Sequence, residues 1–276
     1  MHTQFSWDAP YGDMERTCAR AVELGLPSIA FTEHADFAAI QLIDPHRPLP
    51  DWMAEHTDAD GLVTPPALKV EDYLTEVARC REKFPDLRIL SGVELSEPHW
   101  HDRRATQLVD FGGFDRVLGS VHTLRYAEQN DEPTVEYDAE EAYLALAAET
   151  VVRNYLAEVA KLAAGSDVFH VLAHIDYPIR YWPAAAGPCG PDTFEEEYRY
   201  ALRTLAGTGR ALEVNTRVPL DPVIVRWWRE EGGETLSFGS DAHRPDRLAD
   251  GLREAAAMVE AQGFRSGAHP YDLWRR

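Results

Sequence analysis

Apolar runs in this chain stop again and again at residues that ligate metals, at intervals suited to successive strands of one parallel sheet. MHTQFSWD carries His2 and Asp8, AFTEH ends at His34, LSGVE at Glu94, LGSVH at His122 and VLAH at His174. LEVN supplies Glu213 and Asn215, and FGSDAH supplies Asp241 and His243. One His-rich string can arise by chance, but repeated apolar segments ending in His, Asp or Glu describe a mouth on which ligands converge. A parallel α/β barrel provides such a mouth, because its strand C-termini all open on one face.

Between these runs lie stretches with helical spacing. Residues 13–24 set Met14, Cys18, Ala21 and Val22 at helical intervals, and Gly25 and Pro27 stop the helix ahead of SIAF. VEDYLTEVARCREKF, one long helix over 138–165, TFEEEYRYALRTLAG, PVIVRWWREEG and LADGLREAAAMVEAQG continue the alternation. Alternating strands and helices predict a parallel sheet with helical crossovers in a single domain spanning residues 1–276, with strands ending near residues 2, 34, 94, 122, 174, 215 and 241. The stretch 36–68, with Pro45, Pro48, Pro50, Pro65 and Pro66, breaks the rhythm and predicts a long loop that walls or covers the mouth. YPIRYWPAAAGPCGPD after His174 is a second such loop.

Charge and cysteine usage narrow the function. Against 47 acidic residues stand 27 basic ones, a net charge of −20 that repels the backbone of a long nucleic acid. A small anionic substrate stays compatible, because bound cations dominate the field around them. Cys18, Cys80 and Cys189 are odd in number and widely spaced, which predicts free thiols rather than a disulfide framework. With no leader pattern and no apolar run near bilayer length, a soluble cytoplasmic protein without membrane partners is expected.

Imidazoles suit borderline transition metals, and carboxylates suit harder ions and can bridge two of them, so a mixed set of this size predicts two or three ions rather than one. The ordered motifs resemble the polymerase and histidinol-phosphatase (PHP) family: HTxFSxD, TEHAD, GVE, GSVH, AHID, EVN and SDAH, from His2 to about Gly263. AHIDYPIR and EVNT look most like its histidinol-phosphate phosphatase branch. The resemblance implies an α/β fold of the distorted (β/α)7 barrel type and two or three divalent ions such as Zn, Mn or Fe. It also implies a metal-dependent phosphomonoesterase acting on L-histidinol phosphate. His2, Glu94 and Asp241 would hold one ion, Glu94 would bridge to a second held by His122 and His174, and Asp8, His34 and His243 would hold a third. Glu94, Asp241 and His243 are then the catalytic candidates. The family begins with HxH, whereas here His2 follows Met1, so the implied barrel has its first strand truncated and its first His missing.

Other residues take supporting parts. Arg180, six residues after His174, is the candidate for a phosphate clamp, with Arg217 next and Arg244 weaker. Asn215 is read either as a substrate contact or as an amide capping a loop. Asp36, Asp176 and Glu213 are expected to orient imidazoles, His99 and His101 to line the mouth, and His170 to sit in the barrel core. His46, His56 and His269 are expected in solvent, and Trp227 and Trp228 in helix packing. Alternative functions are a phosphodiesterase or nucleotidase for small nucleotides, an amidohydrolase-like enzyme, and a metal-stabilised accessory module. Lys69, Lys83 and Lys161 fall in or beside predicted helices, which favours Glu94 over a modified lysine as the bridge.

Overall fold

Six parallel strands pair strictly in chain order in the computed structural model, which describes residues 1–126 and 135–276. They are β1 (Glu33–Ala35), β2 (Gly92–Ser96), β3 (Arg116–Ser120), β4 (Val171–Leu172), β5 (Ala211–Asn215) and β6 (Thr235–Gly239), and β7 (Trp274–Arg275) adds an antiparallel edge beside β6. Sequential parallel neighbours require a crossover after every strand. Helix α1 (Met14–Glu23) precedes β1, and α2 (Val70–Lys83), α3 (Asp102–Gly112), α4 (Ala148–Gly165), α5 (Glu195–Ala206), α6 (Pro222–Glu230) and α7 (Leu252–Ala261) carry the chain between successive strands. Asp13 caps the first of them by accepting from Arg16 N, and α1 buries Met14, Cys18 and Ala21.

Strand alternation separates two faces. Val93, Leu95, Val117, Leu172, Leu212 and Val214 join the large core that includes the helices, together with Trp227 and Trp228 of α6. Leu118, Val171, Ala173 and Ala211 form a separate cluster on the inner face. Glu94 is the register partner of both His34 and Leu118, so both residues of the His34–Glu94 pair point inward over this inner cluster. Gly92, two residues before Glu94, permits the close approach of neighbouring strands: a Cβ there would lie 2.7 Å from the carbonyl oxygens of both Phe31 and Arg116.

Three expectations change. Residues 1–3 adopt no strand, and the seventh member of the ladder is β7 at the other end of the chain. Met1 and His2 nevertheless link the two sides of the mouth, since Met1 O accepts from Thr32 N at 2.8 Å and His2 N donates to Ala242 O at 3.0 Å. The helix expected over 138–165 divides into Ala139–Ala145 and α4, with Leu146 extended between them. No glycine or proline forces that break; the first piece turns aside to meet the segment 36–68, where Glu141 pairs with Arg47. His170 is exposed rather than in the barrel core, because it precedes β4 and lies outside the mouth. Among the described residues, no helix is long and apolar enough to cross a membrane.

Candidate metal centre

The N-terminal turn is stapled to β1 by a buried carboxylate that the sequence reading did not single out. Glu33 accepts from Thr3 N at 2.9 Å, Thr3 Oγ1 at 2.7 Å and Ser6 Oγ at 2.6 Å, while Ser6 Oγ accepts from His34 N at 3.0 Å. His2 and Asp8 are thereby fixed against His34, and the His2 and His34 rings stack at 4.0 Å. A charged residue inside the otherwise buried run FTEH was the available signal for Glu33.

Eight side chains from remote positions meet within a few ångströms. His2 Nε2 lies 3.1 Å from Asp241 Oδ1 and 3.5 Å from Glu94 Oε2. The other Glu94 oxygen lies 2.9 Å from His174 Nε2 and 3.2 Å from His122 Nε2. Asp8 Oδ2 sits 3.0 Å from His243 Nε2 and 3.4 Å from His34 Nε2. Glu94 faces both of the first two groups, the position a bridging carboxylate needs. Asp241 follows β6 with φ 49, a left-handed conformation that aspartate tolerates better than most residues and that turns its carboxylate back into the mouth.

The donor set fits cations better than it fits itself. His243 Nδ1 lies 3.0 Å from the Asp241 carbonyl oxygen, which fixes the proton on Nδ1 and leaves the Nε2 lone pair aimed at Asp8 and at His34 Nε2, 3.4 Å away. Acceptors facing acceptors in a buried site need a proton or a metal between them. His122 repeats the pattern: Nδ1 meets Ser96 Oγ at 2.9 Å and Asp36 at 3.6 Å, while Nε2 faces Glu94 and His174. Burial works against charging His122, but Asp36 and Glu94 outweigh it and raise its pKa well above the ordinary value. Burial likewise favours a neutral Asp241, yet Arg180 and His2 hold it well below the usual carboxylate range. Ligand atoms of His2, His34 and His243, of His34, Asp36 and His122, and of Glu94, His122 and His174 cluster tightly enough to share an ion.

Above this floor opens a cavity of about 560 Å³, walled by the segment 36–68 on one side and by Tyr177, Arg180 and Tyr181 on the other. The Arg180 side chain is only 6% exposed, its Nη1 is 2.5 Å from Asp241 Oδ2, and Nη2 has no partner among the described residues. Its guanidinium lies over the Tyr177 ring, which also packs on His122 and His174. Arg217 is half-exposed at the rim, 3.9 Å from the same Asp241 oxygen. Glu97, also missed from sequence, accepts from His122 N at 2.5 Å and Thr123 N at 2.8 Å while its other oxygen has no partner among the described residues. Burial pushes its carboxyl up to about 8.

Several expected residues stand elsewhere. Asn215 does not border the cavity; it donates to Glu213 at 2.7 Å and accepts from Arg217 N at 3.0 Å, which caps the turn after β5. Glu213 meets this amide rather than an imidazole, and burial with Glu94 nearby raises its carboxyl to about 8. Asp176 is buried beside the charge of Arg180, whereas Asp36 does reach His122. His99 does not line the mouth but bonds Glu158 of α4 at 2.7 Å, and His101 packs on Phe37 outside the cavity. His56 is half-buried against Trp7 rather than solvated, while His46 and His269 are exposed. Arg244 is exposed and paired with Asp246. Cys18, Cys80 and Cys189 are free thiols, the last half-buried.

The PHP domain model matches residues 1–217, more than half of the chain. The chain belongs to the PHP domain family. Among its PHP relatives, a histidinol-phosphatase of Lactococcus lactis subsp. lactis is 26% identical, covering 95% of this chain and 90% of its own. A probable histidinol-phosphatase of Thermotoga maritima is 24% identical over 96% and 91%. The same fold is seen in the crystal structure of the Lactococcus lactis histidinol phosphate phosphatase, complexed with zinc, L-histidinol and phosphate. That structure aligns at a TM-score of 0.75 with 24% identity, covering 96% of this PHP chain and 92% of the other.

Proposed function

We propose that this PHP protein is a metal-dependent phosphomonoesterase whose substrate is L-histidinol phosphate, hydrolysed to L-histidinol and phosphate. The observation that carries the reading is the pairing of a convergent carboxylate and imidazole floor with a buried guanidinium, Arg180, one nitrogen of which has no partner among the described residues. Two full-length relatives bearing histidinol-phosphatase names support the choice of leaving group. In this reading the ladder closes as a distorted (β/α)7 barrel through the segment at His2. His2, Glu94 and Asp241 would hold one ion, Glu94, His122 and His174 a second, and Asp8, His34 and His243 a third.

Divalent ions such as Zn, Mn or Fe bound there supply an acidified water and clamp phosphoryl oxygens. The protein's part is placement and charge. Glu94 presents its two oxygens to different groups of imidazoles, and the carboxylates of Glu97 and Glu33, accepting from the backbone N–H groups of His122 and Thr3, hold His122 and the N-terminal turn in register. Arg180, backed by Tyr177, offers a rigid donor to the phosphate at no cost in side-chain ordering, and Arg217 adds charge at the rim. Asp241 meets that guanidinium through Oδ2, and His243 Nδ1 lies 3.8 Å from its other oxygen.

The test is hydrolysis by metal-reconstituted protein, read as phosphate release from L-histidinol phosphate and p-nitrophenyl phosphate and as mononucleotide formation from a dinucleotide. Preferred turnover of histidinol phosphate is expected. Faster cleavage of the dinucleotide, or no phosphate from histidinol phosphate at full metal content, overturns the reading.

A further inference from the structure

One buried carboxylate ties down the middle of the segment 36–68, which lines the mouth. Glu141, on the short helix Ala139–Ala145, is 2% exposed; its Oε2 accepts from Ile43 N at 3.0 Å and its Oε1 pairs with Arg47 Nη2 at 2.5 Å. Both groups it meets belong to the segment. Within that segment Ile40–Gln41 pairs antiparallel with Leu62–Val63, so a hold at Ile43 and Arg47 fixes the whole hairpin-like wall. At its far side the wall leans on Trp7, which meets Trp52 edge-on at 5.3 Å and donates to Asp36 at 2.6 Å. Leu49, Trp52 and Met53 of the segment line the same cavity as Tyr177.

We propose that Glu141 is a specificity-determining positioning residue: by clamping Ile43 and Arg47 it keeps the 36–68 wall closed around the mouth. The mouth then admits a phosphomonoester with one small leaving group and rejects phosphodiesters, which carry a second substituent on phosphorus. This rests on the phosphatase reading above. The physical ground is that a tetrahedral phosphate held by its non-bridging oxygens at Arg180 has one ester arm to accommodate in a monoester and two in a diester. Leu49, Trp52 and Met53 of the wall line the same cavity as Arg180, so the position of the wall sets the space left for the second arm. Arg47 and the Ile43 N–H are the partners this carboxylate has in place of water, and loss of either partner frees the wall.

Glu141→Gln and Arg47→Met are compared with wild type, with their double variant, on p-nitrophenyl phosphate, bis(p-nitrophenyl) phosphate and L-histidinol phosphate. Metal content and protease cleavage within 36–68 are measured on the same samples. Arg47 is partly exposed, so its variant reports even where Glu141→Gln folds poorly. The expected result is a rise of roughly tenfold in the diester-to-monoester ratio of kcat/KM for either variant. The double variant should add little, because both substitutions break one clamp. KM for the monoester should rise while its kcat holds within about threefold, and 36–68 should become cleavable at unchanged metal content. A ratio within twofold of wild type for both variants overturns the clamp. Failure of wild type to use histidinol phosphate, with the p-nitrophenyl ratio still shifting, overturns the substrate assignment and leaves the clamp standing.

Discussion

Replacing Arg180 with Met keeps most of the buried stem and removes the guanidinium. The structure sets the size of the effect. Nη1 is committed to Asp241, and Nη2, buried without a partner among the described residues, is the donor left for a phosphate oxygen. Losing one charge-assisted hydrogen bond amounts to about 1.5 to 3 kcal/mol, which lowers kcat/KM by roughly 10- to 150-fold. Asp241 keeps its contact with His2 at 3.1 Å, so the metal complement should survive. Lysine at the same position retains charge without the planar fork and should fall between the two. The assay is steady-state phosphate release with metal content measured on the same protein, together with inhibition by inorganic phosphate, which should weaken in parallel. A kcat/KM within twofold of wild type would refute the phosphate contact. Metal lost in step with activity would instead make Arg180 a prop for Asp241.

Glu94→Gln should lower turnover by roughly 100-fold or more while circular dichroism stays unchanged, since a neutral amide cannot neutralise charge for both groups it faces; near-normal turnover at full metal content would remove Glu94 from the bridge. Burial favours a protonated Glu158, but His99, Lys161 and Trp100 outweigh it and pull its carboxyl from 4.5 to about 2. A folded value below the unfolded one means stability present above about pH 4.5 and lost as pH falls toward 2, so Glu158→Gln should cost up to about 3 kcal/mol at pH 7 and little near pH 2 in denaturant melts. Gly92→Ala sets a methyl 2.7 Å from two backbone carbonyls and should destabilise by about 1 to 3 kcal/mol, with lower turnover because Glu94 shifts with the strand; an unchanged melting temperature would show that the neighbouring strands give way.

Much of the ladder was legible because each ligand sits at the end of an apolar run, and burial on the sheet imposes that pattern locally. β1, β2, β5 and β6 fall on runs read as strands, and α1, α2 and α6 fall within a few residues of their expected bounds. The misreadings share one cause. His56, His99 and His170 were assigned from neighbours in sequence, whereas their surroundings come from Trp7, from Glu158 and from a strand that begins one residue too late to bury His170. Glu33 and Glu97 escaped notice because their partners, Thr3 and Ser6 in one case and the backbone of His122 in the other, are remote or lie just past the following strand.

By itself the sequence determined the family, the alternation of strand and helix, and the candidate residues that end at the mouth, since hydrophobic periodicity and residue chemistry are written one position at a time. Only the tertiary structure decided how those residues meet. It set Glu94 between two groups of imidazoles, turned Asn215 to cap a loop, drew Arg180 inward onto Asp241, and broke one helix so that Glu141 reaches Arg47. These are distances between segments far apart in the chain, fixed by strand register and by the need of each buried charge for a partner, and no local pattern encodes them.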